Sequence, residues 1–231
     1  MIIFVAGGWS TSSQTLVYRL EDFYKTKSYD LKSGGGVGQL SIRVKTLKLL
    51  KLKFYNKIGK NLIFSQHLFP TKNALDLLDS WFGLDNIKFI VTYRNIFDTI
   101  NNLLKKKEEV NSFQFLRSKF YPTYENFDIS KYGINILDAL MLVNFYAMWF
   151  KVEKENYIKN LQFISFDENT RDIETVNLKL SKFLGNEIKL KDDLSGQIYK
   201  KKQFELKENL KIFLKEYSES FVDIDFTRIG L

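Results

Sequence analysis

The segment Lys88-Phe89-Ile90-Val91-Thr92-Tyr93-Arg94-Asn95-Ile96-Phe97-Asp98-Thr99-Ile100-Asn101-Asn102 changes from a strand pattern to a helix pattern in one step. Its apolar run stops at Arg94. From Ile96 the apolar residues fall at 96, 97, 100, 103 and 104, the spacing of one helical face. Arg94 is thereby placed at the carboxyl end of a buried strand, where open α/β sheets bind their ligands. Asn102 follows about two helical turns later. Two alternatives stand on these residues alone. Arg94 and Asn102 grip one phosphate, or Arg94 pairs with Asp98 one turn on as a surface ion pair.

The same alternation recurs along the chain. Strands are expected at 2–6, 62–64, 87–92 and 161–166, and helices at 14–24, 40–55, 73–81, 95–106, 136–157, 173–184 and 206–217. Gly185 stops the helix before it. Residues 33–38 and 192–202 read as loops, and 107–133 as an irregular polar-aromatic insertion, a candidate lid or acceptor-binding segment. Strands alternating with helices predict a mainly parallel, three-layer α/β/α sheet, and residues 1–231 read as one domain.

Composition narrows the chemistry. The chain has no Cys, which excludes disulfides, thiolate nucleophiles and sulfur-built zinc sites. Its one His excludes multi-histidine metal sites. No run approaches the ~20 apolar residues of a membrane span, and the opening six residues lack the basic flank of a signal peptide. A cytoplasmic protein is expected. The net charge of +8 favours anionic partners. Lysines 45, 48, 51, 53, 57 and 60 alternate with Leu47, Leu49, Leu50, Leu52 and Phe54. That pattern fits a solvated helix face over a core, or a surface for an acidic acceptor, a membrane or nucleic acid. No RNA- or DNA-binding signature supports the last.

Directly after the first strand, Gly7-Gly8-Trp9-Ser10-Thr11-Ser12-Ser13 leads into a helix. Strand, glycine pair, hydroxyl-rich turn and helix is the build of a phosphate cradle, in which backbone N–H groups and the helix dipole hold an anion. The Walker pattern needs a Lys after its last Gly, and none follows here, which argues against an ordinary ATPase or GTPase. His67 closes the second strand and precedes Leu68-Phe69-Pro70. It is the one side chain of the sequence whose ordinary pKa lies near neutrality, so it is a general-base candidate beside its structural alternative.

Together these pieces resemble the sulfotransferases that use 3′-phosphoadenosine-5′-phosphosulfate. The shared elements are the cradle, a His-Leu-x-Pro turn, the strand-Arg-Asn-x-x-Asp segment, Phe163-Ile164-Ser165-Phe166-Asp167-Glu168-Asn169, and Leu180-Ser181-Lys182-Phe183-Leu184-Gly185. The likeness runs from about residue 2 to 217. It implies a P-loop-like sulfotransferase fold and sulfuryl transfer to a hydroxyl or amine by in-line displacement, without a metal. Gly8, Trp9, Ser10, Thr11, Ser12, Ser13, Gln14 and Thr15 would hold the 5′-phosphosulfate. Arg94 and Asn102 would hold the 3′-phosphate, and Phe166 would lie near the adenine. Tyr199, Lys200, Lys201 and Lys202 would close over the nucleotide, and His67 would take the acceptor's proton. The partners implied are the nucleotide donor and an anionic or carbohydrate acceptor, with no nucleic acid.

Two departures accompany the resemblance. The family's loop carries a Lys or Arg where this chain has Ser10 or Thr11, and its cytosolic members have a lysine where this chain has Ser65. Losing a fixed cation at a reacting centre costs ~10²–10³ in rate. Lys60 or Lys200–Lys202 are candidate replacements. The alternatives are a catalytically weak or inactive nucleotide-binding relative and, further off, a nucleotide-sugar glycosyltransferase or small kinase relying on Asp167 and Glu168.

Overall fold

Four strands form one sheet in the computed structural model, which describes residues 1–8, 11–29, 46–66, 68–105, 135–192 and 208–231. They are β1 (Ile2–Gly7), β2 (Leu62–Gln66), β3 (Ile87–Tyr93) and β4 (Leu161–Ser165), in the spatial order β2-β1-β3-β4. Every pairing is parallel, with Ile2 beside both Leu62 and Ile87, and Phe89 beside Leu161. Between and after the strands come α1 (Ser13–Tyr24), α2 (Thr46–Lys57), α3 (Lys72–Phe82), α4 (Ile96–Lys105), α5 (Asn135–Lys154), α6 (Phe166–Arg171), α7 (Ile173–Leu184) and α8 (Glu208–Glu219). The expected parallel α/β sheet is therefore present.

The layers follow from the period of two along each strand. Ile2, Phe4 and Ala6 turn to one face with Leu62, Phe64, Ile87, Phe89, Val91 and Phe163, where they pack under residues of α2, α3, α4, α5 and α8. Ile3 and Val5 turn to the other face with Ile63, Ile90 and Ile164, beneath Leu16, Val17 and Leu20 of α1 and Val176, Leu180 and Leu184 of α7. Strands covered on both faces must be apolar at successive positions, which is why β1 reads as an unbroken apolar run. The α5 helix lies deep, with residues 139–147 almost entirely buried, so it needs apolar side chains around its whole circumference.

Element boundaries moved for identifiable reasons. The strand expected to reach Phe166 ends at Ser165, because Ser165 begins a capping box. Its Oγ accepts from the Glu168 N–H at 3.1 Å, and its own N–H donates to Glu168 Oε2 at 2.9 Å. Phe166 therefore opens α6. The helix expected to reach Tyr157 stops at Lys154, just before Asn156 takes a left-handed turn at φ 50°. The candidate insertion at 107–133, the loop at 33–38 and the stretch 40–45 lie outside the described residues.

One contact ties the buried helix to the segment that follows β2. Trp149 is fully buried, 5.8 Å from the Phe89 ring, and its Nε1–H donates to the Leu68 carbonyl at 3.0 Å. Trp149→Phe removes that hydrogen bond and leaves a gap beside the carbonyl. It is expected to lower stability by about 1–3 kcal/mol, read as a lower urea midpoint at unchanged slope.

Candidate functional site

Because all four strands run the same way, their carboxyl ends deliver residues to one edge. Gly7 of β1 lies in register with Thr92 of β3, so the loop after β1 and the residues after β3 emerge one strand apart, about 4.8 Å. Gly7 cannot be anything larger. A Cβ there would stand 2.3 Å from Thr92 Oγ1, 2.6 Å from Ser13 Cβ and 2.8 Å from Thr11 Oγ1. Into that space Thr11 places its hydroxyl, 2.8 Å from the Gly8 carbonyl, to which it donates, and 2.8 Å from Thr92 Oγ1. Both threonines are essentially inaccessible to solvent.

The helix that follows starts without a cap. Ser12 sits in the left-handed region at φ 61°, and its hydroxyl donates back to the Thr11 carbonyl at 2.6 Å instead of accepting from the first turn of α1. Its first turn holds no acidic residue either. By contrast α3, α6 and α7 begin on side-chain caps from Thr71, Ser165 and Asp172. The N-terminal N–H groups of α1, at the positive end of the helix dipole, thus receive no side-chain cap from Ser12.

The left-handed turn is held from behind. Asn169 of α6, fully buried, donates its amide to the Ser12 carbonyl at 3.0 Å and to Ser12 Oγ at 2.8 Å. Asn169 is gripped in turn by Arg19 of α1, whose Nη1 donates to the Asn169 backbone carbonyl and, at 3.1 Å, to its Oδ1. Arg19 is buried too, with the Asp192 carboxylate 3.8 Å away. This chain of contacts clamps the loop between α1 and α6.

Arg94 follows β3 immediately, half-buried, its guanidinium carbon 3.9 Å from the centroid of the Phe166 ring. Burial lowers its pKa, while the charges of Asp98 and Asp167 work in the opposite direction. The residues expected near the 3′-phosphate and the adenine therefore stack on one another, and Arg94 occupies one face of that ring. Across the edge, Tyr146 of α5 is fully buried, with its hydroxyl and Leu142 Cδ2 each 3.0 Å from where a Cβ on Gly8 would stand. Burial raises the phenol far above its usual range, with neighbouring Arg94 opposing that rise. Bulk at Gly8 would accordingly push against α5.

The structure gathers Gly8, Thr11, Ser12, Ser13, Gln14, Thr15, Arg94 and Phe166 at this edge. Ser65 joins them through a 3.4 Å hydrogen bond to Gln14 Oε1. Asn102 lies in α4, two turns past Arg94. Trp9, Ser10, His67, Tyr199, Lys200, Lys201 and Lys202 lie outside the described residues. Lys60 is a correction. It precedes β2, at the amino edge of the sheet, and its Nζ lies 4.4 Å from the Tyr55 ring centroid, so it cannot stand in for the missing loop cation. Sequence reasoning missed Thr92, Asn169, Arg19 and Tyr146. The visible signals were a charged residue beside the Leu16-Val17-Leu20 stripe and a threonine ending an apolar strand.

Replacing Asn169 with Leu keeps its approximate volume but removes both amide bonds to Ser12 and the Oδ1 partner of Arg19. A loss of about 2–3 kcal/mol is expected, since one of the bonds involves a charge, measured by urea denaturation. If Asn169→Leu stays within 0.5 kcal/mol of wild type, about the noise of a surface change, the clamp does not hold the loop.

No protein-family model matches the chain, and no curated protein sequence does either. Among solved structures it is similar to a sulfotransferase from Alicyclobacillus acidocaldarius, with a TM-score of 0.53 and 14% identity over 98% of this chain and 93% of that one. A second similarity is to mouse sulfotransferase SULT7A1 complexed with PAP, at a TM-score of 0.41 and 16% identity over 81% of this chain and 60% of that one, too distant to carry weight. With its parallel sheet, flanking helices and near-complete overlap with the bacterial enzyme, this chain has the sulfotransferase fold.

Proposed function

We propose that the chain is a sulfotransferase, moving a sulfuryl group from 3′-phosphoadenosine-5′-phosphosulfate to a hydroxyl or amine acceptor. The observation that carries this reading is the pairing of an uncapped helix start after β1 with an arginine after the adjacent β3. Two anion-seeking features one strand apart suit a nucleotide with phosphates at two positions. The Gly8–Thr15 loop would hold the 5′ end, Arg94 and Asn102 the 3′-phosphate, and Phe166 would lie near the base. Tyr199 to Lys202 would cover the nucleotide.

In the reaction itself the acceptor oxygen bonds to sulfur as the bridging sulfur–oxygen bond breaks. The electron pair stays on the phosphate oxygen, and His67 takes the acceptor's proton. Positioning and neutralisation of that oxygen supply most of the rate. The loop's own contribution is backbone N–H groups and hydroxyls, because its sequence carries no Lys or Arg. Arg19 reaches the loop through one intervening side chain, Asn169.

That absence favours one second reading, a binding protein that keeps the bisphosphate pocket without turnover. A metal-dependent glycosyltransferase or kinase has less support. Glu168 is engaged by its capping box and by Lys179, and Asp167 pairs with Arg171 at 3.3 Å.

Two measurements test the proposal. In calorimetry, Arg94→Ala should weaken adenosine 3′,5′-bisphosphate by roughly 1.5–3 kcal/mol, the worth of a charge-assisted contact, and adenosine 5′-phosphate by much less. Equal losses for both nucleotides would remove the 3′-phosphate from Arg94. Donor turnover with a panel of hydroxyl and amine acceptors separates enzyme from binder. There His67→Ala should keep bisphosphate affinity and lose ~10²–10⁴ in rate per folded molecule.

A further inference from the structure

The α2 helix has apolar residues on two sides, and the core uses one of them. Leu52 is fully buried, with Leu49 and Tyr55 packed beside it. On the opposite side Leu50, Phe54 and Ile58 are 58%, 57% and 51% exposed. They follow one another at successive turns, since the Ile58 N–H still donates to the Phe54 carbonyl at 3.0 Å. A helix that needed only to cover the sheet would carry polar residues there.

The charge around this ridge has one sign. Lys51 lies along one flank and Lys53 and Lys57 along the other, all exposed, with exposed Lys48 and Lys60 near its ends. Residues 31–75 contain nine Lys and Arg and no Asp or Glu, leaving 26 basic and 27 acidic residues in the rest of the chain. The whole net charge of +8 is therefore concentrated in the segment that carries the ridge.

The geometry points to α2 as a docking helix for an anionic phospholipid surface, with Leu50, Phe54 and Ile58 entering the headgroup boundary and the flanking lysines on the lipid phosphates and carboxylates. A second copy of the chain would set these lysines against their own like charges. A nucleic acid would leave three large apolar side chains unused. A partner helix seeks an apolar groove, whereas these side chains stand out as a ridge that a deformable bilayer surface can accept. No helix among the described residues is long and apolar enough to cross a membrane.

The full chain is tested by flotation with phosphatidylcholine vesicles alone and with about one-third phosphatidylserine. Each lysine at such a surface contributes roughly fivefold in affinity, so the chain should float with the anionic vesicles, not with the neutral ones, and lose binding as salt rises. Leu50→Glu with Phe54→Glu should reduce binding ~10-fold or more with an unchanged melting temperature, because both residues are already exposed. Phe54→Ser, a milder change, should act in the same direction. The proposal is overturned if anionic vesicles are not bound, or if both variants bind as wild type does. It is also overturned if wild type is a dimer that the double variant splits and that ignores vesicles. Capture of RNA or of an acidic peptide in place of vesicles, lost in the same variants, overturns it as well.

Discussion

The hydroxyl of Thr11 bridges the Gly8 carbonyl and the Thr92 hydroxyl through space that exists only because residue 7 has no side chain. The rest of the edge depends on that approach. It fixes the loop against β3, so the helix start after β1 and Arg94 after β3 keep a constant separation. Asn169 and Arg19 add the second support, holding Ser12 in a left-handed conformation that a serine adopts only when its surroundings impose it. Both supports are buried, where hydrogen bonds are strong and unpaired groups costly. The loop is thus a built feature of the fold and not a chance turn.

Much of this was legible from the chain. Strands covered on both faces leave unbroken apolar runs, and helices leave a spacing of three and four, so β1, β3 and α7 were placed nearly to the residue. Arg94 was legible because a charge cannot continue a buried strand. Local capping is legible in the sequence as well. The Ser165–Glu168 box is a sequence signature, and recognising it would have opened α6 at Phe166. The clamp was not legible, because Asn169 and Ser12 are 157 residues apart in the chain and meet only once the sheet order is known. Tyr146 was hidden for a similar reason. On a helix apolar all round, nothing in the pattern says which side chain faces the loop.

Electrostatics divides the molecule into two kinds of surface. Among the described residues at the carboxyl edge, charge is sparse and organised. Arg94, Asp98, Asp167 and Arg171 influence one another there, and Arg94 lies over an aromatic ring. Around α2 the charge is abundant and of one sign, and it surrounds apolar side chains that have no core to enter. The first arrangement suits selection of a small, multiply charged ligand. The second suits adhesion to an extended anionic surface, where many weak contacts add.

The claim on which the account turns is that the carboxyl edge binds a nucleotide phosphorylated at both the 3′ and 5′ positions. Thermal melting of the unmodified chain measures this most directly, because a ligand that binds only the folded state raises its stability by an amount set by occupancy. Adenosine 3′,5′-bisphosphate at about 100 times its dissociation constant should stabilise by about 2.7 kcal/mol, while ATP or a UDP-sugar with Mg²⁺ at the same concentration should leave the transition where it was. Stabilisation by ATP or the UDP-sugar but not by the bisphosphate would contradict the account.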